Sequence, residues 1–150
     1  MLFRSGEGRT DPETVAGRAA GLEAQLAGKH AHFTVYDVTD SDAPVPIGTA
    51  SLIIDHTVKA AEYVVALGEP GRGRGLATPL TALVLRYAFD VAGLRNVMLH
   101  VLEPNVAAVR AYRAAGYQTI GVRRDCAWWG QDPCNEILMD AVPSDLRPPH

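Results

Sequence analysis

The stretch "GEPGRGRGLATPLTALVLRYAF", residues 68–89, packs three glycines and two arginines into the five positions from Gly71 to Gly75, with a helical pattern directly behind them. Backbone so flexible and so positive at the start of a helix suits a phosphate. The first N–H groups of a helix have no intrahelical partner, and the helix dipole favours negative charge there. Several phosphate loops share this outline. A dinucleotide loop needs Gly-x-Gly-x-x-Gly, but the third position is Leu76 counted from Gly71 and Thr78 counted from Gly73. A nucleotide P-loop ends in Gly-Lys-Ser/Thr, and this stretch has no lysine. What remains is Arg72-x-x-Gly75-x-Ala77, or an ordinary tight turn before a helix.

The flanking elements must hold that loop in place. "TDPETVAGRAAGLEAQLAGKH" predicts a helix, with Asp11 as cap, Pro12 at its first position and Val15, Ala19, Leu22 and Leu26 on one face. "HFTVYDV", "IGTASLIID" and "AEYVVAL" read as three strands. Behind the loop, Leu76, Leu80, Leu83, Val84, Tyr87 and Val91 recur at helical spacing, and Gly93 ends the run. "NVMLHVL" is an apolar strand, and "NVAAVRAYRAAG" is a helix capped by Asn105 and ended by Gly116. "YQTIGVRRDCAWW" and "CNEILMDAV" form a closing hairpin around "GQDP". The order α, β-β-β, α, β, α, β-β predicts a mixed sheet, α/β or α+β in class. The strand and helix between Ala61 and Leu102 suit a parallel pair with a crossover, placing a ligand at the carboxyl end of the first strand.

Composition narrows the function classes. The chain has 150 residues, 47% apolar and 21% charged, with a net charge of −3, as expected of one ordinary globular domain. That charge argues against a nucleic-acid partner. No apolar run reaches the roughly 18 residues a membrane span needs, and no secretory signal opens the chain, so a cytoplasmic protein with no membrane partner is expected. Cys126 and Cys134 lack metal-site spacing and read as reduced thiols, with a cross-strand disulfide as the alternative; no metal is expected.

Two constellations together resemble one family. Arg72-x-x-Gly75-x-Ala77 is similar to the acyl-CoA pyrophosphate loop of the GNAT family of N-acetyltransferases, Arg/Gln-x-x-Gly-x-Gly/Ala. One helix and one strand later that family carries Asn-x-x-Ala-x-x-x-Tyr-x-x-x-Gly-Phe/Tyr. Here "NVAAVRAYRAAGY" supplies Asn105, Ala108, Tyr112, Gly116 and Tyr117 in register. The closing "CAWWGQDPCNEILMDAV" resembles the last hairpin of the branch that acetylates ribosomal-protein amino termini and polyamines. The resemblance runs from about Thr10 to Val142. It implies a short N-terminal segment at 1–9, a GNAT acyl-CoA N-acyltransferase domain at 10–142 and a mobile tail at 143–150. Since only "MLFRSGEGR" precedes the matched part, the usual first strand and helix are expected to be lacking, or supplied by another chain.

The implied activity is transfer of acetyl from acetyl-CoA to a primary amine by direct attack. The amine would belong to a protein N-terminus, a polyamine, or an amino-bearing antibiotic or metabolite. Cofactor contacts carry over to Val65, Ala66, Leu67, Arg72, Gly73, Arg74, Gly75, Leu76, Ala77, Asn105 and Tyr112. Tyr112 matches the tyrosine that protonates the departing sulfur. At pH 7 only about one lysine-type amine in a few thousand is neutral, so a proton acceptor is expected as well. Glu62 is the first choice and His100 the second, since imidazole titrates near neutrality; a solvated carboxylate and a buried structural histidine are the bland readings. Trp128 and Trp129 would rim the acceptor pocket or a homodimer contact, or simply be one buried and one exposed hairpin residue. The alternative to an enzyme is a non-catalytic acyl-CoA-binding domain or a truncated, inactive member.

Overall fold

The computed structural model describes residues 2–3, 30–39, 42–73 and 75–146. The helix expected over Thr10–His30 lies outside them, apart from His30, which opens a strand; so does Arg74. The alternating segments become β2 (His30–Asp37), β3 (Val45–Asp55) and β4 (Ala60–Leu67), preceded by a two-residue β1 (Leu2–Phe3). The helical pattern after the loop gives α1 (Ala77–Arg86), which runs on through a π-type turn at Tyr87–Val91 and is stopped by Gly93 at φ +67°. Next come β5 (Asn96–Leu102), α2 (Val106–Ala115), β6 (Gln118–Trp129) and β7 (Asp132–Ala141). Gly116 ends α2 at φ +119°, a conformation a side chain would strain.

Among the described residues the strands form one sheet in the order β1-β2-β3-β4-β5-β7-β6. Its ladders are antiparallel except β1/β2 and β4/β5. One face is apolar: Phe33, Leu52, Tyr63, Leu99 and Met139 are buried there against Leu80, Val84 and Leu85 of α1 and Val109 of α2. The residues between them in sequence, among them Glu62, Val64, Met98 and His100, point to the other face, as the period of two requires.

The parallel pair decides where a ligand can enter. β4 and β5 pair only at Ala60–Asn96, Ala61–Val97 and Glu62–Met98. Beyond that rung β4 runs on to Leu67 against β3, and β5 runs on to Leu102 against β7. The two strands part, leaving a fork in the sheet at their carboxyl ends.

The expected tail at 143–150 begins with a 3-10 turn at Pro143–Asp145. The Asp145 carboxylate accepts the Val142 N–H at 2.9 Å and the Gln118 side-chain amide at 2.8 Å. Residues 147–150 lie outside the described residues. No helix among the described residues is long and apolar enough to cross a membrane.

Candidate active site

The glycine loop curls because two of its residues adopt a left-handed backbone: Gly73 at φ +69° and Gly75 at φ +68°. Leu76 follows in right-handed conformation, φ −81° and ψ −19°. A left-handed residue followed by a right-handed one turns successive N–H groups toward a common point, a concavity suited to an anion. The first bond of this helical turn runs from the Leu80 N–H to the Leu76 carbonyl at 3.0 Å. Pro79, inside the first turn of α1, therefore removes only an N–H that would have had no helical partner. The N–H groups at the helix start face outward from the chain, as a phosphate needs. The loop is anchored at its root, where the Gly68 N–H reaches the Ile47 carbonyl at 2.8 Å and Arg72 Nε donates to the Leu67 carbonyl at 3.0 Å.

The loop opens onto a cleft of about 460 Å³ that runs into the fork. Val65 and Leu67 of β4 form one wall, and Asn105, Ala108, Ala111 and Tyr112 of α2 the other, with Arg72, Gly73, Gly75, Leu76 and Ala77 at the mouth. Ala66 points to the opposite face, so only its backbone can serve the cleft. The Asn105 side chain is engaged in its own helix, accepting the Ala108 N–H at 3.3 Å. Thr78 ties the start of α1 to α2, its hydroxyl donating to the Ala111 carbonyl at 3.4 Å. Sequence reasoning passed over Thr78 and Ala111 as lining residues and took Ala108 only as part of a motif. Steps of three and four residues from Asn105 and Tyr112 would have marked the two alanines as sharing their helix face.

Tyr112 stands at the inner end of the cleft within a tyrosine cluster. Its ring meets that of Tyr63 edge-on at 6.4 Å and that of Tyr117 at 6.0 Å. Tyr63 is hydroxyl-bonded to Thr81 at 3.3 Å, whereas the buried Tyr117 hydroxyl has no partner among the described residues. Burial raises the phenol pKa of all three above the ordinary value. Tyr112 thus keeps its proton through the neutral and mildly alkaline range. The shifts also bear on stability. Below about pH 10 both folded and unfolded tyrosines are neutral and nothing is lost; above it the unfolded phenols ionise while the folded ones hold their protons. Each of Tyr63 and Tyr117 should then cost about 1.4 kcal/mol per pH unit. Urea midpoints should show no tyrosine-dependent fall between pH 7 and 9 and a decline above pH 10, shallower in Tyr117→Phe. An equally steep decline in that variant would show that Tyr117 is not held neutral.

On the other face of the sheet lie the two expected proton acceptors, Glu62 at the last paired rung of the fork and His100 two residues beyond that rung on β5. His100 Nε2 is 3.8 Å from Glu62 Oε1, and His100 Nδ1 is 3.1 Å from Glu136 Oε1. The structure thus brings Glu62 and His100 together and adds Glu136, which no local sequence signal marks. His100 is hydrogen-bonded but not buried, while its neighbours Leu99 and Val101 are. Asp140, paired across the ladder with Met98, accepts from Asn96 at 2.9 Å. Glu103 lies in the turn after β5 and accepts from the Asn135 amide at 3.3 Å. Cys126 and Cys134 are free thiols. Both tryptophans are exposed, Trp128 at 66% and Trp129 at 46%, which corrects the reading of one buried and one exposed. The hairpin tip that carries them extends past the end of β5, where among the described strands β7 pairs with β6 alone.

Comparison with known proteins bears on this arrangement. Residues 6–117 match the family model described as "Acetyltransferase (GNAT) family". The chain is 33% identical over 99 residues to mycothiol acetyltransferase of Mycobacterium avium (strain 104), covering 60% of this chain and 31% of that protein. It is 32% identical over 68 residues to spermidine N(1)-acetyltransferase of Escherichia coli (strain K12), covering 45% of this chain and 37% of that protein. The chain thus spans well under half the length of these relatives. Its fold matches that of spermidine N-acetyltransferase from Vibrio cholerae, solved in complex with CoA and spermine, with a TM-score of 0.72 at 23% identity over 84% of this chain and 74% of that one.

Proposed function

The chain belongs to the acetyltransferase (GNAT) family, and from that premise we propose that it transfers an acetyl group from acetyl-CoA to a primary amine. The observation that carries the proposal is the fork. A half-buried phenol and a phosphate-suited loop line a cleft on one face, and two proton acceptors stand side by side at the fork on the other.

In this reading the pyrophosphate of the acyl-CoA rests on the N–H groups of residues 73–77, Arg74 among them, where the helix start and the loop glycines favour an anion, while the Arg72 N–H stays on the Glu69 carbonyl. Its pantetheine arm runs along Val65, Ala66 and Leu67, whose edge is unpaired once β5 has diverged, and passes Asn105. The thioester then sits in the fork near Tyr112. The acceptor amine enters from the carboxylate face, where its positive charge is attracted, and gives up a proton to the Glu62–His100 pair. Its nitrogen bonds to the thioester carbon, the carbon–sulfur bond breaks and the sulfur takes the Tyr112 proton, while the surplus proton of the acylated nitrogen passes through solvent and restores the phenol. The chain's part is to hold donor and acceptor on opposite sides of one carbon, so that each proton moves over a short path.

The test begins with cofactor binding. At one hundred times the dissociation constant, acetyl-CoA should add about 2.7 kcal/mol, which for a chain of this size raises the melting temperature by roughly 5–10 °C. Coenzyme A should do the same and NADH should not. Acetyl transfer is then followed by release of free thiol with three probes: spermidine, a peptide with a free N-terminus, and an amino sugar. A cooperatively folding protein whose melting temperature ignores both coenzyme A ligands would end this reading.

A further inference from the structure

The gap between His100 and Glu62 is more specific than two alternative bases would require. At 3.8 Å, His100 Nε2 and Glu62 Oε1 are too far apart to share a hydrogen bond, whereas Nδ1 and Glu136 Oε1 at 3.1 Å are within reach. A carboxylate only accepts, so in the neutral ring the Nδ1 atom must carry the hydrogen, and the Nε2 lone pair is left open toward Glu62. Imidazole alone has no such obligation. Glu136 comes from β7 and Glu62 from β4, so two strands that never touch fix the two nitrogens of a side chain on β5 between them.

We infer that Glu136 is a positioning residue: it holds His100 in the tautomer whose Nε2 takes the proton of the acceptor amine, while Glu62 binds the ammonium in the same gap. This rests on the acetyl-transfer reading and divides the labour between two residues that the sequence offered as alternatives. The proton passes from the amine nitrogen to Nε2, giving an imidazolium flanked by Glu62 and Glu136. Glu136 itself never gains a proton.

The test pairs Glu136→Leu with Glu136→Gln. Long-range nitrogen–proton NMR spectra of the folded protein, recorded where the ring is neutral, report which imidazole nitrogen bears hydrogen. They do so whether or not acetyl transfer occurs. The wild type should show hydrogen on Nδ1 of His100. Glu136→Gln, whose amide oxygen can still accept, should keep it, and Glu136→Leu should shift it toward Nε2. With the best acceptor of the three probes, Glu136→Leu should lower kcat by about tenfold, with the KM for acetyl-CoA unchanged and Glu136→Gln restoring most of the loss. A wild-type ring with hydrogen on Nε2, or a Glu136→Leu protein with unaltered tautomer and kcat, would overturn the inference. If the tautomers behave as expected and acetyl-CoA binds, yet none of the three amines is acetylated, the acetyl-transfer reading fails and takes the positioning role with it, although the hydrogen bond stands.

Discussion

Replacing Tyr112 by Phe should lower kcat by about 10²-fold or more while leaving the dissociation constant for acetyl-CoA within about twofold, because the change removes the proposed general acid and little else. The ring that stays behind keeps its edge contacts with Tyr63 and Tyr117 and still lines the cleft. Only the hydroxyl goes. A thiolate has a lower affinity for protons than a phenolate, so the transfer is mildly uphill and is coupled to the breaking of the carbon–sulfur bond, with the phenol regaining its proton afterwards. Burial keeps Tyr112 neutral to a higher pH than an exposed tyrosine, so the wild type should show no loss of kcat from this group between pH 6 and 9. Saturating kinetics by thiol release and titration calorimetry with acetyl-CoA separate the two effects. Unchanged kcat in Tyr112→Phe would mean that the sulfur takes its proton elsewhere. A fall in affinity that matches the fall in kcat would mean that the hydroxyl only holds the cofactor.

The proposed proton donor and proton acceptor lie on opposite faces of the sheet, and this is a consequence of the strand period. Tyr63 and Glu62 are consecutive residues of β4; one packs on Tyr112 and the other faces His100. A one-residue shift of β4 would exchange them and destroy both sites at once. The side of the strand that carries buried Ala61 and Tyr63 and half-buried Val65 therefore fixes the register on which the proposed chemistry depends.

What the sequence discloses follows from the range of the forces involved. β5 and α2 are read to within a residue because their signals are local: an apolar run, an Asn cap, a glycine able to take φ +119°. The loop is legible because its glycines have no other use. Its place beside Tyr112 is legible because one helix and one strand fix the distance. Glu136 is different. It meets His100 through the β5/β7 ladder, across 36 positions of sequence, and no local pattern states which residues of two strands will lie diagonally opposite. Thr78 and Tyr63 escape for the same reason, since each acquires its role from a helix or strand that packs on it later in the chain. Trp128 and Trp129 escape because strand alternation assumes a second layer on one face, and the hairpin tip has outrun the sheet.

Gly48→Ala is expected to be the most damaging single-methyl change near the site. A Cβ at Gly48 would run into the carbonyl oxygen of Ala66 and stand 3.0 Å from the Leu67 Cα. Both are backbone atoms, so neither can swing aside; β4 itself must move. Overpacking of this kind costs about 1–3 kcal/mol, or roughly 3–10 °C in melting temperature for a chain of this length. The displacement falls on the segment proposed to carry the pantetheine arm, and on the Leu67 carbonyl that holds Arg72. Affinity for acetyl-CoA should therefore drop by about tenfold, equal to about 1.4 kcal/mol. Gly93→Ala is the control. At φ +67° with nothing within 4 Å of its Cβ, it pays for left-handed backbone alone, about 1–2 kcal/mol. It also lies on the far side of α1 from the loop. Its melting temperature should fall while its affinity per folded molecule holds. If the two glycine variants lose affinity equally, general destabilisation is the cause. If Gly48→Ala alone loses it, the carboxyl end of β4 is a wall of the cofactor site, and the glycine is there to let two strands lie close enough to build it.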